Sequence, residues 1–229
     1  MGISEALEYI QEVIQRACLR SGRKPDEIRL MGVSKFQDIH AVEEAWRAGL
    51  RLFGESRVQE AQEKLAGFNR THPGTELHFI GSLQRNKAKA AVSLFDCIQS
   101  VDRDALIDEL GALTNRRDTP LRILLELHTA EETKTGFPDG DSVCRAAEKA
   151  LSYPHLRPGG LMTIAPYTKD GGLIRDSFRA LVSLRNKLET RFPSCDWSCL
   201  SMGMSNDFEI AIEEGSTLIR IGTALFGER

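Results

Sequence analysis

Residues 28–35 read Ile-Arg-Leu-Met-Gly-Val-Ser-Lys, an apolar run that ends abruptly on a hydroxyl and an amine. A helical pattern follows at once, Ala41-Val42-Glu43-Glu44-Ala45-Trp46, which Gly49 closes as a C′ residue. Strand followed by amphipathic helix is the unit of an α/β protein, and the question is how often it recurs. Upstream, residues 4–18 set Leu7, Ile10, Ile14 and Ala17 at helical spacing. Downstream, Leu50–Gly54 precedes the helix Val58–Leu65, and Leu77–Gly81 precedes a basic helix Gln84–Ala91. Phe95–Val101 is followed by Asp102 as an expected N-cap, before a helix with Leu106, Leu110 and Leu113 on one face.

Leu121–His128 reads most clearly as a strand, and the helix Asp141–Leu151 follows it after a polar loop. Pro158–Met162 leads through Thr163–Gly172 into a long helix bearing Phe178, Leu181, Leu184 and Leu188. Trp197–Met202 precedes the helix Phe208–Glu214, and Thr217–Ile221 precedes a short element begun by Ala224-Leu225-Phe226. Eight strands, each followed by a helical segment, in 229 residues predict a single-domain TIM (β/α)8 barrel over residues 1–229. The alternative, a doubly wound open sheet, would usually carry a GxGxxG turn after its first strand, and none is present.

Composition narrows the function classes. A formal charge of −3 with scattered basic residues gives no electrostatic footprint for nucleic acid or an anionic membrane. No apolar run approaches the roughly 20 residues that span a bilayer, and Met1–Glu5 lacks the basic and apolar regions of a signal peptide. The five cysteines form no CxxC pair, which reads as reduced thiols in a cytoplasmic protein. His40, His72, His78, His128 and His155 are dispersed, so no metal site is expected.

In a TIM barrel, chemistry sits at the C-terminal ends of the strands. Lys35 ends the first strand, where partial desolvation would lower its pKa and favour the neutral amine that attacks an aldehyde. From position alone the better reading is a lysine reaching from a strand end into water. Ser201-Met202-Gly203-Met204-Ser205-Asn206-Asp207 lies between strand seven and a helix. Ser205 is expected to cap that helix, and Gly203 to let backbone amides approach an anion. At the end of strand eight, Arg220-Ile221-Gly222-Thr223 adds a second glycine, a hydroxyl and a guanidinium. An amine at strand one and an anion cradle at strands seven and eight suit a ligand that is both aldehyde and phosphate. Pyridoxal phosphate is one such ligand, and the sugar phosphates of Schiff-base aldolases are another.

Val33-Ser34-Lys35, Phe53-Gly54-Glu55, Val58-Gln59-Glu60, His78-Phe79-Ile80-Gly81, Gln84-Arg85-Asn86-Lys87, Ser100-Val101-Asp102, Lys134-Thr135-Gly136-Phe137, Gly160-Leu161-Met162, Ser201–Ser205 and Arg220–Gly227 occur in this order. In order and spacing they resemble the pyridoxal phosphate homeostasis family over essentially the whole chain. The resemblance implies a barrel similar to the N-terminal domain of alanine racemase, without that enzyme's C-terminal β domain. It implies pyridoxal 5'-phosphate held as a Schiff base on Lys35, with Ser201, Met202, Gly203, Ser205, Gly222 and Thr223 around the phosphate. It places Arg220 opposite the pyridine nitrogen; a guanidinium stays protonated, so that nitrogen is left unprotonated and carbanion chemistry is disfavoured. The implied function is a monomeric, non-catalytic carrier that buffers the cofactor and hands it to apo enzymes. The rival is a pyridoxal phosphate-dependent racemase, for whose opposite face Tyr167 is the available phenol.

Two departures from the family pattern stand out. Phe53-Gly54-Glu55 continues as Ser56-Arg57 where the family usually has Asn-Tyr, and His128 stands where asparagine is common. Lys134 is a second candidate amine.

Overall fold

A computed structural model describes residues 2–227 except 116, 118 and 131–134. Lys134 therefore lies outside the described residues. Eight strands, β1 (Arg29–Val33), β2 (Leu52–Glu55), β3 (Glu76–Phe79), β4 (Cys97–Val101), β5 (Leu121–Glu126), β6 (Leu156–Met162), β7 (Cys199–Met204) and β8 (Leu218–Ile221), pair in parallel in chain order. β8 returns to β1, with Gly32 opposite Ile221, so the sheet closes into the expected barrel.

The helices are α1 (Ile3–Ser21), α2 (Ile39–Arg47), α3 (Val58–Leu65), α4 (Phe68–Thr71), α5 (Ala88–Leu94), α6 (Asp104–Thr114), α7 (Gly140–Leu151), α8 (Gly171–Arg191), α9 (Phe208–Glu213) and α10 (Thr223–Phe226). Gly49 follows α2 at φ +104, as a C′ glycine should. Two expectations fail locally. The helix expected over Gln84–Ala91 begins as a 3-10 turn at Arg85–Lys87 and becomes α5 only at Ala88. Asp102 does not cap α6: Arg103 holds the N-cap position, and the Asp102 carboxylate is taken by the Arg103 guanidinium at 2.5 Å.

Strand residues alternate between two apolar compartments, as the pleat requires. The larger lies between the barrel wall and the helices and includes Phe53, Phe79, Ile98, Leu125, Phe178 and Leu200. The smaller fills the barrel itself: Met31, Leu52, Cys97, Leu124, Met162, Cys199 and Leu218, one residue from every strand but β3. Gly54 shares this interior. A Cβ there would lie 2.4 Å from Met31 Sδ, so the side chain of Met31 occupies the space.

β3 instead brings polar groups inside. His78 is buried, with Nε2 at 2.5 Å from Glu76 Oε1, and Glu76 Oε2 accepts from Arg29 at 2.5 Å. Burial alone would raise the Glu76 carboxyl, but the bonds from His78 and Arg29 outweigh it and bring it down to about 2 from 4.5. Burial pushes His78 below its ordinary value, against the pull of Glu76.

A carboxyl depressed in the folded state stabilises fully above its unfolded value of 4.5, and that contribution disappears as pH falls toward 2. We expect Glu76→Gln to flatten the loss of stability across this window, measured by urea unfolding at stepped pH. A wild-type acid slope unchanged by the substitution would contradict the assignment.

Candidate functional site

Lys35 sits just beyond β1, in a turn closed by Gln37 N–H donating to Ser34 O at 3.0 Å. Within it Phe36 has φ +65, the sole non-glycine residue at positive φ among the described residues. A bulky residue in that region costs free energy and persists only where its surroundings hold it. Here they do. Phe36 N–H donates to Glu60 Oε1 at 2.5 Å, and the Arg57 guanidinium lies 4.8 Å from the Phe36 ring centroid. Arg57, one of the departures noted above, is thus a cover for the turn beside Lys35.

Beneath the turn, Lys64 Nζ donates to the carbonyls of Ser34 (2.7 Å) and Gln37 (3.0 Å) and pairs with Glu55 at 2.7 Å. Ser34 Oγ donates to the same Glu55 oxygen at 2.7 Å. Burial pushes the Glu55 carboxyl above its ordinary value despite the bonds from Lys64 and Ser34. Two side chains on α3 therefore fix the backbone on both sides of Lys35.

Lys35 itself is exposed, and among the described residues its amine has neither hydrogen bond nor ion pair. The partial desolvation expected from its place at a strand end is not found. The turn carries the residue above the rim, where solvent reaches it.

At the neighbouring strand ends the expected cluster divides into two groups. Ser205, Asn206, Thr223 and Ala224 line a cavity of about 480 Å³, with Ser205 Oγ at 3.4 Å from Ala224 N. Gly222 is half-buried beside it. A Cβ on Gly222 would meet Val33 only at 3.6 Å, so packing does not demand a glycine there, and the missing side chain leaves room for a ligand. The pairing of β8 with β1 sets this cradle beside the strand that leads into Lys35.

Ser201, Met202 and Gly203 belong elsewhere, because β7 continues to Met204 instead of opening into a loop. Ser201 is fully buried, and its hydroxyl is committed to Gln99 and Arg220. Met202 packs in the core outside the barrel. Gly203 has φ +96, and a Cβ would lie 2.5 Å from Ala211 Cβ, so its small size serves the approach of α9. Ser205 does not cap α9 either; Asp207 holds that position, and its Oδ1 accepts from Met204 N at 2.5 Å.

Arg220 is buried inside the barrel top. Nη1 donates to Ser201 O (2.7 Å) and Ser201 Oγ (2.8 Å), and Nη2 donates to Thr163 O (2.8 Å). Its Nε has no hydrogen bond among the described residues. Burial lowers the guanidinium from its ordinary value, opposed by the carboxylates of Asp207 and Glu126. Glu126, missed in the sequence, ends β5 and is buried; burial raises its carboxyl against a 2.6 Å bond from Thr135 Oγ1. His128 Nδ1 meets the Thr135 carbonyl at 3.1 Å, which ties it to the chain before α7. Among the described residues, no cluster of His, Cys, Asp and Glu could hold a metal.

A family model described as the alanine racemase N-terminal domain matches residues 8–229. The pyridoxal phosphate homeostasis protein of Aquifex aeolicus is 38% identical, over 100% of this chain and 99% of its own length. The chain belongs to the pyridoxal phosphate homeostasis family. Its Escherichia coli K12 relative is 37% identical over 99% of this chain and 97% of its own length. Among solved structures, PipY of Synechococcus elongatus with PLP bound superposes with a TM-score of 0.83 at 34% identity, covering 98% of this chain and all of that one. Alanine racemase of Bacillus anthracis shares the fold alone, with a TM-score of 0.71 at 14% identity, covering 97% of this chain and 56% of the racemase.

The two glycines should part company on mutation. Gly203→Ala should cost roughly 2–4 kcal/mol in thermal or urea unfolding, from strain and overpacking together. Gly222→Ala should leave stability nearly unchanged yet weaken binding of inorganic phosphate in calorimetry. Lys64→Met, which strands the buried Glu55 carboxylate, should cost about 3–5 kcal/mol and speed amide exchange at Phe36 and Gln37. Intact protection there would show that the turn holds itself.

Proposed function

We propose that this chain is a cytoplasmic, monomeric carrier of pyridoxal 5'-phosphate, which it holds covalently through Lys35 and passes to apo enzymes without strong catalysis of its own. One observation carries the reading: an exposed amine with no bonded partner among the described residues lies just beyond β1, the strand that pairs with β8, which leads into the cradle glycine Gly222. The relatives named for pyridoxal phosphate homeostasis, and a solved relative at 34% identity with PLP bound, support it.

The residues present fit that cofactor. When bound, it supplies an aldehyde that condenses with a primary amine, and the free Lys35 amine needs no partner stripped from it. Ser205 and Thr223 offer hydroxyl donors to an anion, with the Thr223 amide at the start of α10. Arg220 offers its unbonded Nε–H to a ring nitrogen. Because a guanidinium keeps its proton, Arg220 would withhold the pyridinium that carbanion chemistry draws on. That favours holding over turning over. The racemase rival fares poorly on geometry: Tyr167 is 88% exposed on the loop before α8 and lines a different cavity, of about 740 Å³, with Ile164, Ile174 and Ile210.

Borohydride treatment of protein incubated with pyridoxal phosphate should leave its adduct mass on the peptide containing Lys35, and Lys35→Ala should abolish it. Loaded protein mixed with a defined apo enzyme should activate it faster than release into buffer allows. Production of D-isomers from added L-amino acids would overturn the carrier reading, and an adduct absent from Lys35 would overturn the site.

A further inference from the structure

Arg220 is the upper end of a hydrogen-bond chain that crosses the barrel interior to its lower rim. Arg220 Nη1 lies 2.8 Å from Ser201 Oγ, Ser201 Oγ 2.6 Å from Gln99 Oε1, and Gln99 Nε2 2.6 Å from His78 Nδ1. His78 Nε2 is 2.5 Å from Glu76 Oε1, and Arg29 closes the chain at Glu76 Oε2. Ser201, Gln99 and His78 are at most 1% exposed. Four strands contribute, β8, β7, β4 and β3, and Arg29 of β1 meets the far end.

The direction of every donor in this chain is forced from both ends. A guanidinium only donates, so Ser201 Oγ accepts from it and gives its own proton to Gln99 Oε1. The Gln99 amide then faces its NH2 toward His78, whose Nδ1 accepts it when the ring is neutral, the form that burial favours. A neutral His78 therefore carries its proton on Nε2, and that proton points at a carboxylate, which only accepts. Reversing any one member leaves two donors or two acceptors facing each other in a dry interior, a costly arrangement.

Such an assembly is unusual filler for a barrel. Interiors of this kind are packed with branched apolar side chains, and apolar replacements of similar volume would serve stability as well. What apolar residues cannot supply is a fixed acceptor for the guanidinium at the level of Ser201. With Nη1 and Nη2 both held, the planar guanidinium cannot turn about its Cδ–Nε bond, and the Nε–H of Arg220 keeps one direction.

We propose that Gln99 and His78 are positioning residues for Arg220: through Ser201 they fix the plane of its guanidinium, so that Nε is presented to the ring nitrogen of the bound cofactor. The ligand named here rests on the function proposed above; the positioning does not. Neither residue touches the ligand. Their effect travels through side-chain orientation alone.

Gln99→Leu removes both bonds at nearly constant volume, and three readouts follow. In ligand-free wild-type protein, nitrogen-15 NMR should show His78 as the Nε2–H tautomer with a hydrogen-bonded Nδ1, and a single sharp Arg220 Nε–H resonance. In Gln99→Leu the Nδ1 signal should move to its unbonded position and the Arg220 resonance should broaden. In protein loaded with pyridoxal phosphate, borohydride should still trap the adduct on Lys35, while the bound chromophore's absorption maximum shifts and affinity falls about tenfold. Should the variant fold poorly, Ser201→Ala breaks the same chain and carries the same readouts. An Nδ1–H tautomer in the wild type, or a folded variant whose Arg220 resonance and chromophore spectrum are unchanged, overturns the proposal. A wild type that takes up no pyridoxal phosphate would sink the functional reading, and the ligand-free resonances would still decide the positioning.

Discussion

The pairing of β8 with β1 is the constraint on which the site depends. Until the sheet closes, Lys35 and the Arg220–Thr223 segment are almost two hundred residues apart along the chain; once Gly32 lies opposite Ile221, the ends of β1 and β8 stand side by side. Closure also creates a dry interior in which strand parity sorts side chains. Odd residues of β1 and even residues of β8 point inward, which puts Arg220 inside the barrel and leaves Lys35 to continue past its rim.

The two halves of the site are built on opposite principles. Around Arg220 both terminal guanidinium nitrogens are given partners in the barrel, and Nε is left over. Around Lys35 the backbone is held by Lys64 and Glu60, with Arg57 over the Phe36 ring, while the amine has no bond among the described residues. A rigid turn with a free end suits a group that must capture a ligand and later release it. A catalytic lysine working on a carbon acid would gain more from burial and a proton-transfer partner.

The barrel was legible because its signal is a repeat: eight weak strand signals at regular intervals reinforce one another. Lys35, Ser205, Gly222 and Thr223 stand out as candidates for a related reason, since each follows the end of an apolar run. The polar and glycine content around Ser201, Met202 and Gly203 reads as a loop, whereas β7 runs on to Met204. The Asp102 and Ser205 caps failed where a neighbour, Arg103 or Asp207, took the position. His78, Gln99 and Glu126 left no local trace, because a polar residue inside a strand looks the same whether it faces a ligand, a relay or water. Their meaning depends on partners from other strands. Lys64 hides similarly, as one lysine in a charged helix until Glu55 and the Ser34 carbonyl are beside it.

The most direct test of the whole account is a crystal structure of the protein grown with pyridoxal phosphate. The account predicts electron density continuous with Lys35 Nζ, a phosphate against Ser205 and Thr223, and the pyridine nitrogen facing Arg220 Nε. A cofactor seated anywhere else, or a Lys35 side chain standing free beside an occupied cradle, would contradict it.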